Sequence, residues 1–239
     1  MLFFFMPASA SVDWVLVAAA VLPAAALMIR VYRLDRLEAE PQGLLWRLVL
    51  MGVISALLAM AEEAALTGLL NITVTENEGL YVFLMYFVIV AYAEETSKYL
   101  LLRRSTWRSP EFNCRFDGVV YAVFVSLGFA VFENILYVFH YGMQTALLRA
   151  VTAIPGHACF GVFMGVFYGM ERGYENRGAA QAASICRVLT VVLPAALHGA
   201  YDYIAATQVS GWSFILFIAA LFGVSYALVG RMARQDQYI

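Results

Sequence analysis

Residues 118–140 read GVVYAVFVSLGFAVFENILYVFH, a run with a single carboxylate and neither lysine nor arginine. At about 1.5 Å of rise per residue, a helix of this length exceeds the roughly 20 residues that cross a hydrocarbon core. Lipid offers backbone amides and carbonyls no partners, so the run must satisfy them internally, as a helix. Glu133 in its interior carries a second message. A charge at the bilayer centre costs about 2.5–3.5 kcal/mol on insertion scales, so such a group normally faces a bundle interior and serves a function.

The pattern repeats on both sides of this run. Seven segments are long and apolar enough to span, at roughly residues 12–32, 44–67, 80–101, 118–140, 144–170, 182–206 and 212–230. Composition agrees: of 239 residues, 63% are hydrophobic and 13% charged, where a soluble domain has about half and a quarter. The reading is an all-α polytopic membrane helix bundle of about seven transmembrane helices. It forms a single integral-membrane domain over residues 1–239, placed in the cell membrane. Its connections are short or polar, and no soluble domain or internal repeat is evident. The opening MLFFFMPASASVDW lacks the basic region of a cleavable signal peptide, so the first apolar segment is expected to be retained. Cys114, Cys159 and Cys186 are odd in number and lack metal-site spacing, so no disulfide framework is inferred. A net charge of −2 with dispersed basic residues gives no nucleic-acid patch.

Basic residues set the orientation. Arg30, Arg33, Arg36 and Arg47 flank the first connection, and Lys98, Arg103, Arg104, Arg108 and Arg115 the third. Arg172, Arg177 and Arg187 flank the fifth, while Arg231 and Arg234 close the chain. Arg149 alone falls on the other side. The expectation is an N-terminus outside and a cytoplasmic C-terminus. Trp14, Trp46 and Trp212 look like aromatic-belt anchors.

Five more ionisable groups lie within apolar stretches. In AYAEETSKYL, Glu94 and Glu95 precede Lys98, the chain's only lysine, at i,i+4 and i,i+3, so it can reach either carboxylate. A snorkelling flank accounts for Lys98 but poorly for two adjacent glutamates. Phe129 and Glu133 stand at i,i+4, followed by Asn134. His157 follows Pro155 and Gly156 near mid-helix, where proline loosens the ladder. The stripe Gly161, Gly165, Gly169 reads as close helix packing rather than chemistry. His198 and Asp202 share one face at i,i+4, suited to two ligands of one metal or to a ligand and the carboxylate that orients it. Glu62-Glu63 repeats the acidic pair without the lysine and reads as a solvated flank, as does His140 at a helix end. Counting rise from the outer helix ends puts Glu133 and His198 about 12 Å deep and His157 about 20 Å. Glu94 and Glu95 come out deeper, at about 21–23 Å.

Two histidines and a glutamate form the ligand set of many catalytic zinc sites, and a further glutamate can move the water's proton. A metal-free site is the alternative, with a glutamate activating water and a histidine or amide stabilising the oxyanion. Neither H-E-x-x-H nor G-x-S-x-G occurs. Intramembrane carboxylates and histidines also build ion-coupled transporters, but inverted repeats are not evident.

Four motifs in register, Glu94-Glu95-x-x-Lys98, Phe129-x-x-x-Glu133-Asn134, His157 with Phe160-Gly161, and His198-x-x-x-Asp202, resemble the signature of the PrsW family of intramembrane proteases. That family is distantly similar to the CAAX-prenyl endopeptidases and bacteriocin-processing proteins. The resemblance implies a multi-pass protease acting on membrane-tethered protein substrates, such as a single-pass anti-sigma factor in a stress response. By position it makes Glu94 and Glu95 the catalytic carboxylates, with Lys98 orienting or neutralising them. Glu133, His157 and His198 are then expected to hold a divalent metal, zinc by preference, with Asp202 as fourth ligand or outer support. Phe129 and Asn134 take supporting places.

Overall fold

The computed structural model describes residues 14–74, 76–207 and 210–239; the reading of the opening residues 1–13 lies outside these. Helices dominate the described chain: α1 (Trp14–Tyr32), α2 (Gln42–Thr73), α3 (Glu78–Phe83), a π-helical stretch (Leu84–Val90) and α4 (Ala91–Thr106). They continue as α5 (Asp117–Tyr141), α6 (Met143–Val151), α7 (Ala153–Asn176), α8 (Ala180–Thr207) and α9 (Gly211–Arg234). Seven helical stretches are long and apolar enough to cross a membrane, in the number and order expected. Among the described residues the only β-type pairing is an isolated bridge between Cys114 and Tyr238.

The opening run, α5, is the axle. α7, α2 and α1 pack around it, and it is buried along most of its length. Small residues let the backbones meet: a Cβ on Gly165 would strike the α5 backbone at Gly118, one on Gly169 would strike Arg115 just before α5, and one on Gly128 would strike α2 at Val49. The glycine stripe on α7 thus serves packing, as read. Ion pairs tie the basic ends together, with buried Glu171 accepting from Arg103 at 2.9 Å and from Arg187 at 2.6 Å. The tail folds back there, since Arg115 N donates to Gln237 O and Ile239 N to Asn113 O. Trp14, Trp46 and Trp212 are all about three-quarters exposed, as interface anchors would be.

Two local departures matter for the site. The fifth segment is not one helix: it breaks at Thr152 (φ −121°, ψ −74°) into α6 and α7. Pro155 therefore occupies the first turn of α7, where its missing N–H would have had no helical partner anyway, and His157 lies near a helix start, not at mid-helix. The third segment contains seven π-helical residues directly before the glutamate pair. Wider π turns advance the chain less per residue, so counting ideal α rise overstates the depth of Glu94 and Glu95.

Candidate active site

α4 offers Glu94, Glu95 and Lys98 on one buried face. Lys98 Nζ donates to Glu95 Oε1 at 2.7 Å and to Glu94 Oε2 at 3.2 Å. It also lies 3.2 Å from His157 Nδ1 and 3.9 Å from the centre of the Phe129 ring. The lysine is fully enclosed, so it is no snorkelling flank. A lysine this deep is tolerable only because two carboxylates and an aromatic face replace its water.

The two histidines repeat one arrangement. His198 Nδ1 is 3.0 Å from Glu95 Oε1, and its Nε2 is 3.4 Å from Asp202 Oδ2. His157 turns Nδ1 toward Lys98 and places Nε2 2.9 Å from Glu133 Oε2. Each ring thus presents Nδ1 to the glutamate–lysine group while a carboxylate holds Nε2. Their ring centres are 5.2 Å apart, and Phe160 stacks on His198 at 4.7 Å. A carboxylate on the far nitrogen is how metal-binding and catalytic imidazoles are usually fixed in tautomer and orientation.

α6 supplies a residue that the motif reading left outside the site. Arg149 Nη2 donates to Glu133 Oε2 at 2.8 Å, its Nε donates to Asn134 Oδ1 at 2.8 Å, and the guanidinium lies 4.0 Å over the Tyr137 ring. Asn134 passes the connection on to Ala20 O of α1 at 3.2 Å. One sequence signal could have found it: Arg149 was the sole basic residue off the charge pattern. The break at Thr152 lets α6 turn this arginine inward while Leu147, Leu148 and Val151 stay exposed.

The structure thus brings all six intramembrane groups, with Lys98, into one connected cluster. The depth gap expected for the glutamate pair is absent, because Glu95 touches His198 directly. Four of the groups, Glu94, Glu95, His157 and His198, have ligand atoms mutually within 4.8 Å. Glu133 and Asp202 stand outside that four, each on the far nitrogen of one histidine. Glu62 is exposed, as a solvated flank should be, although Ser97 Oγ reaches it at 3.4 Å. Glu63 departs from that reading: partly buried, it lies within electrostatic reach of Glu94, Glu133, His198 and Asp202. His140 is exposed near the end of α5.

The donor set fits a divalent metal. Two imidazoles and two carboxylates are borderline nitrogen and oxygen ligands of the kind zinc takes. Glu95 Oε2, in addition, is buried and accepts no hydrogen bond. A buried carboxylate oxygen without a donor is rare enough to ask for a ligand. The exposed rim is formed by Glu133 and Asp202, whose side chains are each 23% exposed, whereas Glu95 and Lys98 are sealed and Glu94 is 7% exposed. Glu94 is thus nearer to that rim's solvent than Glu95.

Comparison with known proteins points the same way. A family model described as PrsW family intramembrane metalloprotease matches residues 40–229. The Protease PrsW of Bacillus subtilis (strain 168) is 31% identical over 201 residues, covering 84% of this chain and 87% of that protein. The Protease PrsW of Geobacillus kaustophilus (strain HTA426) is 32% identical, covering 86% and 87%. That of Halalkalibacterium halodurans is 30% identical over 92% of this chain and 97% of its own length. No solved structure matches.

Proposed function

Because the chain belongs to the PrsW family of intramembrane metalloproteases, and is thus a multi-pass membrane protease, we propose that its Glu/His/Lys cluster hydrolyses a peptide bond of a single-pass membrane protein, such as an anti-sigma factor. The observation that carries this reading is the paired histidine geometry: both Nδ1 atoms turn to the glutamate–lysine group, and both Nε2 atoms are held by carboxylates. Membership in a protease family removes the support for an ion-coupled transporter. The asymmetry of basic residues favours an N-terminus outside and a site in the outer half of the bilayer.

Glu95, His157 and His198 would hold a divalent metal, zinc by donor type, which when bound supplies a water of lowered pKa and polarises the scissile carbonyl. Glu94, the more exposed of the pair, accepts the proton of the attacking water. The new carbon–oxygen bond forms as that proton leaves, and Glu94 then returns it to the departing amine as the carbon–nitrogen bond breaks. Lys98 neutralises the pair, so two adjacent carboxylates can stay ionised out of water. Glu133 and Asp202, expected from sequence as possible ligands, orient the rings of His157 and His198 instead. Arg149 and Asn134 fix Glu133, and Phe129 walls the lysine.

A second reading rests on one distance set: Lys98 Nζ lies within 3.2 Å of donor atoms of three of the four candidate ligands. Its ammonium supports a metal-free glutamic mechanism, with Glu94 or Glu95 as base and an imidazole facing the oxyanion. Metal analysis separates the two. The wild type, His198→Ala and Glu95→Gln are purified in detergent, and bound metal is measured by mass spectrometry. One zinc per wild-type chain, lost in both variants, is the expected result. Full cleavage activity without bound metal would select the glutamic mechanism.

A further inference from the structure

At the opposite, arginine-rich end of the bundle, three carboxylates from distant parts of the chain converge. Asp35 lies in the link between α1 and α2, Glu40 directly precedes α2, and Asp117 opens α5. Their ligand oxygens are all within 4.8 Å of one another. Asp117 has local work, since its Oδ2 accepts the backbone N–H groups of Asn113 at 3.0 Å and Cys114 at 2.6 Å. Glu40 has one hydrogen-bonding neighbour, the Tyr121 hydroxyl, and Asp35 has none. Both oxygens of Asp35 and Oε2 of Glu40 are shielded from solvent and accept no hydrogen bond. Glu40 is only 5% exposed.

Helix-terminal acids are often explained by the helix dipole, but that leaves these oxygens without donors, and α2 has no side-chain cap. No arginine or lysine comes within ion-pair distance of Asp35, Glu40 or Asp117 among the described residues. The further acids nearby, Glu38, Glu111 and Asp236, add charge of the same sign. Buried carboxylate oxygens without donors, set among further acids, call for a cation.

We propose that Asp35, Glu40 and Asp117 form a site for a hard divalent cation such as calcium, which clasps the α1–α2 link to the start of α5. An all-oxygen set selects calcium or magnesium over zinc. Ligand oxygens that all lie within 4.8 Å of one another can share one such ion. The site shares no residue with the intramembrane cluster and stands independently of the proteolytic reading.

The test uses the full chain in detergent, stripped with chelator and titrated with calcium chloride against potassium chloride of equal ionic strength. Calcium should raise the unfolding midpoint by about 5–10 °C at a hundredfold excess over its dissociation constant. The rise should persist in Glu95→Gln, which alters the intramembrane cluster, and vanish in Glu40→Gln and Asp35→Asn. Equilibrium dialysis with radioactive calcium should read one ion per wild-type chain and none in either rim variant, so a poorly folding variant does not decide the matter alone. No calcium-specific rise in the wild type, a rise undiminished in Glu40→Gln, or no bound calcium at millimolar concentration would overturn the proposal.

Discussion

Within the membrane, Glu94 and Glu95 share the ammonium of Lys98, while Glu133 takes the guanidinium of Arg149. At the arginine-rich rim, Asp35 and Glu40 meet further carboxylates and no cation. The two clusters are built from similar acids but balanced differently. In the bilayer, where an uncompensated charge costs most and water is absent, the chain brings its own counter-charges. At the rim, just outside the apolar spans, the proposed cation would have to come from solution. Internal compensation lets the intramembrane cluster fold without help from solution, whereas the rim cluster, on the proposal above, is stabilised by what the solution supplies.

That contrast is most exposed to Lys98→Met. Removing the shared cation leaves two buried glutamates uncompensated, which should cost about 3–5 kcal/mol, visible as a large drop in unfolding midpoint together with loss of cleavage. Adding Glu95→Gln to Lys98→Met should recover part of the stability and none of the activity. If Lys98→Met is as stable as the wild type, internal compensation is the wrong description of the membrane cluster.

Arg149→Gln comes next. Releasing Glu133 from its guanidinium loosens the hold on His157, and disturbing such outer partners costs about 10–100-fold in activity or metal affinity. The readout is cleavage rate alongside bound metal. Lys at position 149 should restore only part, because one ammonium cannot serve Glu133 and Asn134 with the same planar fork. Asp202→Asn should sit at the mild end of that range, about tenfold, since its contact to His198 is longer than that of Glu133 to His157. Equal effects from Arg149→Gln and Asp202→Asn would blur the distinction between a support fixed by a guanidinium and one that is not.

The smallest effect belongs to the rim. In chelator, Glu40→Gln should leave the protein as stable as the wild type or more stable by about 1 kcal/mol, because it removes a buried acid whose Oε2 has no donor and whose neighbours are further acids. A marked loss of stability would mean that the Glu40 carboxylate already has a counter-charge, and the comparison would fail at that end.

The seven spans and the register of the four motifs were legible because they depend on local rules: apolar length, and i,i+4 spacing on one helix face. Glu94 with Lys98 and His198 with Asp202 meet as that spacing requires. What was not legible depends on how helices meet. Pro155 and Gly156 pointed to a loosened ladder but not to a full break at Thr152, and without that break neither the place of His157 near a helix start nor the inward turn of Arg149 follows. The π-helical stretch before Ala91 likewise hid the common depth of Glu95 and His198. Glu63 was read as a flank because its face toward the cluster is created by the packing of α2 on α4. Asp35, Glu40 and Asp117 lie in or beside links, far apart in sequence, and only the closed bundle makes them neighbours.

The most direct test of the central claim is cleavage of a single-pass membrane reporter by purified protein in lipid vesicles. The wild type is compared with the Glu94→Gln, Glu95→Gln double variant after matched folding is confirmed by thermal unfolding. The account predicts specific cleavage by the wild type and loss of activity by at least about a hundredfold in the double variant. Undiminished cleavage by that variant would contradict it.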